Sequence, residues 1–281
     1  MFNTILELTK YRLSLSVIFS SIAGYLIAMD YFLIETFLLL LFGGFFLVGA
    51  SNGFNQIIEK ERDSIMDRTK NRPIPLGKIS PRSAFIICLT MILSGIVLLY
   101  FINLRTAFFG LLSALIYLFI YTPLKTRTPL CVFFGAIPGA IPFMLGWVAA
   151  TNKFGIEPGV LFMIQFFWQF PHFWAIGWLS DDDYKKAGFK MLPVIEPNGK
   201  RTIIQILWHL SLLFPVCLLP VINGMNGRIY LYGVMIITMF YFLSALPMIY
   251  EKSYKNASRI LQASVLYLPA LMIIIIIDKG I

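Results

Sequence analysis

Asn55 to Pro73 reads NQIIEKERDSIMDRTKNRP and follows directly on an apolar run, Leu38 to Gly53. That run belongs to a stretch long and apolar enough to cross a membrane. The charged segment therefore emerges at a membrane surface with acids and bases together. Asn55, Glu59, Asp63 and Asp67 recur every four residues, which keeps side chains near one face of a helix with a drift of about 40° per step. The first three converge on one point, and Asp67 has drifted off it. Oxygen donors so arranged suit a hard cation such as Mg²⁺, which holds a few carboxylates and completes its shell with substrate phosphates. Arg62, Arg68, Lys70 and Arg72 are interleaved with them and suit phosphate oxygens. Acids for a metal and bases for a phosphate point to a diphosphate site; the plainer reading is a charged, solvated loop.

The rest of the chain supports a membrane setting. Of 281 residues, 58% are apolar and 13% charged, and the mean hydropathy is +0.79. Soluble domains carry roughly twice that share of charge. The reading is an all-α polytopic membrane protein, a single domain over residues 1–281. Nine spans are expected, at roughly 13–29, 33–54, 82–102, 106–121, 130–150, 158–179, 202–222, 229–249 and 260–277. Asn103-Leu104-Arg105 joins the third and fourth as a tight hairpin. No cleavable signal peptide is evident, so the first run is expected to stay as a span. With the N-terminus in the cytoplasm, 19 of the 23 Lys and Arg residues fall on the cytoplasmic side, as membrane topology demands. This asymmetry accounts for the net charge of +9 without nucleic acid. Cys88, Cys131 and Cys217 lie in apolar runs without a CxxC partner, which argues against a disulfide framework or a zinc site.

A second acidic loop, Leu179 to Val194 (LSDDDYKKAGFKMLPV), lands on the same side as the first. Three adjacent carboxylates, Asp181 to Asp183, repel one another unless a cation joins them. Between the two loops, Tyr121-Thr-Pro-Leu-Lys125-Thr-Arg127 ends the fourth span at the same depth, stopped by Pro123. The fifth span holds GAIPGAIPFMLGW, Gly135 to Trp147, which reads as close helix packing. The sixth contains Gln169 and His172, polar groups that mark an interior cavity or a helix-to-helix hydrogen bond. His209, alone in the seventh, reads as structural.

These pieces, in this order, carry a resemblance. Asn55-x3-Glu59-x3-Asp63-x2-Met66-x-Arg68-Thr69-x2-Arg72-Pro73, Tyr121-Thr-Pro-Leu-Lys125, Gly135–Trp147 and Ser264-x2-Tyr267-Leu268 resemble the UbiA superfamily of intramembrane prenyltransferases. Trp168-Gln169-x-Pro171-His172-Phe173 and Asp183-Tyr184-x2-Ala187-Gly188-x2-Met191-Leu192-Pro193-Val194 resemble its haem-modifying branch, the protoheme IX farnesyltransferases. The resemblance implies nine helices bundled around a central cavity. It implies Mg²⁺, with Mn²⁺ as a substitute, held by Asn55, Glu59, Asp63 and Asp183, and a diphosphate held by Arg68, Arg72, Lys125 and Lys186. Gln169, His172, Tyr184 and Tyr121 are the substrate-binding candidates. The implied substrates are farnesyl diphosphate and protoheme IX. The implied location is a bacterial inner membrane with the active-site loops cytoplasmic, and a haem A synthase or terminal oxidase is a candidate partner. Two departures stand out: Glu59 occupies a position where the family usually has Asp, and the second acidic motif is consecutive rather than spaced. Another aromatic acceptor, such as 4-hydroxybenzoate or a chlorophyllide, is the alternative within the class. A transporter of an anionic lipid is the alternative outside it.

Overall fold

The computed structural model describes residues 1–279. Among these the regular elements are all helical. Nine long helices are labelled here α1 (Tyr11–Ala28), α2 (Ile34–Ile58), α3 (Pro81–Ile102), α4 (Leu104–Leu124), α5 (Cys131–Thr151), α6 (Ile156–Leu179), α7 (Lys200–Ile222), α8 (Arg228–Tyr250) and α9 (Tyr254–Lys279). Eight of them are long and apolar enough to span a membrane. The expected count of nine is met by length only, because α6 (24 residues) is lowered in hydropathy by Gln165, Gln169 and His172.

The α3–α4 hairpin is as tight as its sequence demands. Asn103 alone separates the two helices, and its side chain accepts the Thr106 N–H at 2.8 Å, capping α4. Ser80 caps α3 in the same way, with Pro81 at the first helical position. Pro123 does not end α4 abruptly. Residues Ile116–Tyr121 widen into a π-helix before the turn Thr122–Leu124. Proline has no N–H for the carbonyl four residues back, and wide turns of this kind recur at functional sites.

The bundle has two halves resting on a central pair, α1 and α5. Helices α2, α3 and α4 pack on one side and α6 to α9 on the other, with α9 closing back on α1. Of the eight spans, α5 is the most enclosed, with 72% of its apolar window buried, against 17% for the peripheral α3. Its small residues make that possible. A Cβ on Gly146 would strike the Ser21 carbonyl of α1, and one on Gly24 would strike the Phe143 carbonyl of α5. Inside lipid, where apolar burial does not favour helix contact, such backbone proximity is what holds helices together.

Candidate active site

The repeat of four survives a break in the helix. Helix α2 ends at Ile58 and Glu59 leaves helical geometry, yet Glu59 N–H still donates to Asn55 O at 2.9 Å and Asp63 N–H to Glu59 O at 2.8 Å. Asn55, Glu59 and Asp63 therefore share one face, and all three are buried.

Burial of two carboxylates requires partners. Lys125 Nζ lies 2.9 and 3.1 Å from the two Glu59 oxygens. Arg72 Nη1 lies 2.7 Å from both Asp63 oxygens. Burial works against the Lys125 ammonium, but Glu59 more than offsets it, and the pKa stands above the ordinary lysine value. Lys125 also sits 4.7 Å from the centre of the Tyr121 ring, a cation–π contact. Tyr121 in turn presses on Gly135 of α5, where any side chain would displace it. Around this point the bundle is closed by its own ion pairs.

Lys10 is a member of this cluster that the sequence reading passed over. In the structure it holds a left-handed backbone conformation (φ 46°) and donates to Asn55 Oδ1 at 3.4 Å. Burial, then the charges of Arg72 and Lys125, pull its pKa down to about 7. Asn55 Nδ2 donates to Thr122 Oγ1 at 3.3 Å, which ties the turn after the π-helix to α2.

The second acidic loop meets the first at its rim. Asp183 does not join Glu59 and Asp63 in the structure; its oxygens accept the backbone N–H groups of Asp67 (2.9 Å) and Arg68 (3.0 Å). Among the described residues no three His, Cys, Asp or Glu side chains cluster as a metal site. Of the four ligands expected from the resemblance, the structure brings Asn55, Glu59 and Asp63 together and places Asp183 at the rim. The reason is that an ionised carboxylate facing two free backbone donors is held by them. Arg68 donates to Tyr184 Oη at 3.2 Å and lies over its ring. Lys186 bonds Asp67 at 2.7 Å, and this bond with that from Lys70 lowers the Asp67 pKa to about 2. Of the four basic residues expected on a diphosphate, Arg72 and Lys125 lie in the buried centre, while Arg68 and Lys186 join the loops. Lys190 N–H donates to Lys125 O at 2.7 Å, so the third loop is fixed as well.

Gln169 and His172 turn to different helices. Gln169 Nε2 donates to Ala136 O of α5 at 3.1 Å, and Gly139 leaves room for its amide. His172 faces α9, where Nδ1 lies 2.7 Å from Ser264 Oγ and the ring stacks on Trp168. Both are helix-to-helix hydrogen bonds. His172→Ala and Ser264→Ala are each expected to lower stability by about 1 kcal/mol, and the double variant by little more than either. Thermal unfolding of the purified variants measures this.

Two buried carboxylates and an amide oxygen on one face fit a metal that completes its shell with substrate oxygens. Lys10, Arg72 and Lys125 beside them fit the anion that would bring those oxygens. The UbiA prenyltransferase family model matches residues 17–267. A protoheme IX farnesyltransferase of Christiangramia forsetii is 52% identical, covering 97% of this chain and 92% of its own. That of Flavobacterium psychrophilum is 49% identical over 99% and 95%. Among solved structures, a digeranylgeranylglyceryl phosphate synthase superposes with a TM-score of 0.83 at 23% identity, covering 99% of this chain and 98% of that one. An Archaeoglobus fulgidus UbiA homologue, bound to DMAPP and Mg²⁺, gives 0.73 at 17% identity over 97% and 99%. Sequence and fold agree along nearly the whole length, and the chain belongs to the UbiA prenyltransferase family.

Proposed function

We propose that this protein transfers the farnesyl group of farnesyl diphosphate to a vinyl group of protoheme IX, giving haem O and diphosphate. The observation that carries this is identity of up to 52%, across nearly the full chain, to proteins named for that reaction. The buried cluster of matched charges supplies the chemistry. Breaking the allylic C–O bond sends its electron pair to the diphosphate, and the barrier falls as that growing charge is neutralised. Arg72 and Lys125 are placed to do so, with Lys10 beside them. Asn55, Glu59 and Asp63 would hold Mg²⁺, which when bound supplies further charge to the leaving group. The haem vinyl then attacks the allylic carbon, and water adds to the resulting cation with loss of a proton, leaving a hydroxyethylfarnesyl group. The apolar body of the bundle keeps water from the first cation.

Incubation of the purified enzyme with haem and farnesyl diphosphate, followed by mass analysis of the porphyrin, tests the assignment. A haem heavier by one farnesyl group and one hydroxyl group supports it, and unaltered haem with released farnesol overturns it. Chelation is a second test. EDTA is expected to remove at least about 99% of turnover, and added Mg²⁺ to restore it; full turnover in chelator would remove the metal from the reading. We place the protein in a bacterial inner membrane, with the charged loops facing the cytoplasm. A haem A synthase or terminal oxidase is the class of partner that would consume the product.

A further inference from the structure

On the reading just given, we propose that the outer groove between α5, α6 and α7 is the docking site for the haem substrate, with His209 as iron ligand and Arg201 as partner of a propionate. The groove encloses about 310 Å³, and its walls include Phe133, Phe170 and Trp174. Arg201, Gln205 and His209 step along α7 four residues at a time and so present one polar stripe to it.

Three groups around the groove have free valences. His209 Nδ1 lies 2.7 Å from the Gln205 carbonyl. A carbonyl only accepts, so Nδ1 carries the proton and Nε2 keeps its lone pair. Nε2 makes no hydrogen bond among the described residues. The ring is held flat on Phe170, with centroids 4.0 Å apart. Arg201, 77% exposed, has only a loose 3.8 Å pairing with Glu196. The indole N–H of Trp174 is buried without a partner, a state proteins rarely leave unexplained.

Together these ask for one kind of ligand. It has a flat apolar body for the aromatic walls and a carboxylate for Arg201 at the membrane surface. It also has a metal centre for an imidazole nitrogen roughly 12 Å deeper along α7. Haem has all three. A phospholipid offers the anion and the apolar tails but nothing for the lone pair of His209. The groove borders the proposed prenyl-donor site, which the vinyl edge of a haem docked there would face. Leu130 follows the turn bearing Lys125, and Leu192 follows the Asp183 loop, where the Met191 and Cys131 sulfurs meet at 3.7 Å. Leu130, Phe133 and Ile204 at the rim are exposed, which leaves a lateral path from the bilayer.

The test is a titration of the full-length protein in detergent with ferric haem, read by absorbance and electron paramagnetic resonance. Wild type is expected to show an imidazole-ligated spectrum. His209→Ala should lose that spectrum, whereas Arg201→Gln should keep it with haem affinity about tenfold weaker. Iron-free protoporphyrin should respond to Arg201→Gln and not to His209→Ala. In turnover, both variants should raise the KM for haem and leave that for farnesyl diphosphate unchanged. Because Arg201 is exposed, its variant reports even if His209→Ala fails to fold. Unchanged haem spectra, affinity and KM in the variants would overturn the groove while leaving the proposed reaction standing. Histidine-ligated haem with no farnesylated product would overturn the reaction and leave the groove standing.

Discussion

Replacing Asp63 with Asn is expected to lower turnover about a thousandfold, the scale set by removing one preorganised charge contact from a transition state. The substitution keeps the shape and removes one negative charge from the buried face that also carries Asn55 and Glu59. It also leaves Arg72 half-buried beside a neutral partner, since both Asp63 oxygens now accept from it. Stability in detergent should therefore fall as well. The double variant Asp63→Asn/Arg72→Gln separates the two effects: it should regain thermal stability and stay inactive. Recovery of activity in the double variant would mean that Asp63 serves only to hold Arg72.

Lys125→Met is expected to produce the second large effect. Glu59 would then be an unpaired buried carboxylate, and breaking such a pair from one side costs about 3–5 kcal/mol. Glu59→Gln alone should cost a comparable amount, because Lys125 is equally buried. The combination Glu59→Gln/Lys125→Met should be far less destabilised than the sum, as measured by a double-mutant cycle in thermal unfolding. None of the three should turn over, since each lacks a charge that the leaving group or the metal uses. A cycle with no coupling would mean the 2.9 Å contact contributes nothing to the fold.

Much of this arrangement was legible in the sequence because it is periodic. Helix positions followed from apolar length, and the shared face of Asn55, Glu59 and Asp63 followed from a step of four that holds even where α2 stops at Ile58. The common side of the three loops followed from Lys and Arg counting. What escaped has no periodic signal. Lys10 enters the centre through a left-handed backbone angle at the start of α1, which a list of flanking charges does not contain. Asp183 turns to the backbone of Asp67 and Arg68 because two N–H groups are free there, a fact of loop conformation and not of residue type. The neighbours of His172 and His209 escaped for a related reason. His172 turns Nδ1 to Ser264 of α9, and His209 faces a groove between α5, α6 and α7; neither neighbour can be read from the residue's own helix.

The grip of Asp183 on the Asp67 and Arg68 amides joins residues 116 and 115 positions apart. Synthesis at about 5–20 residues per second separates them by roughly 6 to 23 s. Glu59 is made 66 residues ahead of Lys125, so for the first part of that interval its carboxylate lacks the ammonium it pairs with in the finished bundle. Until the later loops are made, burial of that carboxylate is costly and the end of α2 is best left in water. A chain interrupted after α5 would carry the carboxylates and Lys125 but not the clasp, so the cell would meet a half-bundle whose charged loop hangs open to proteases.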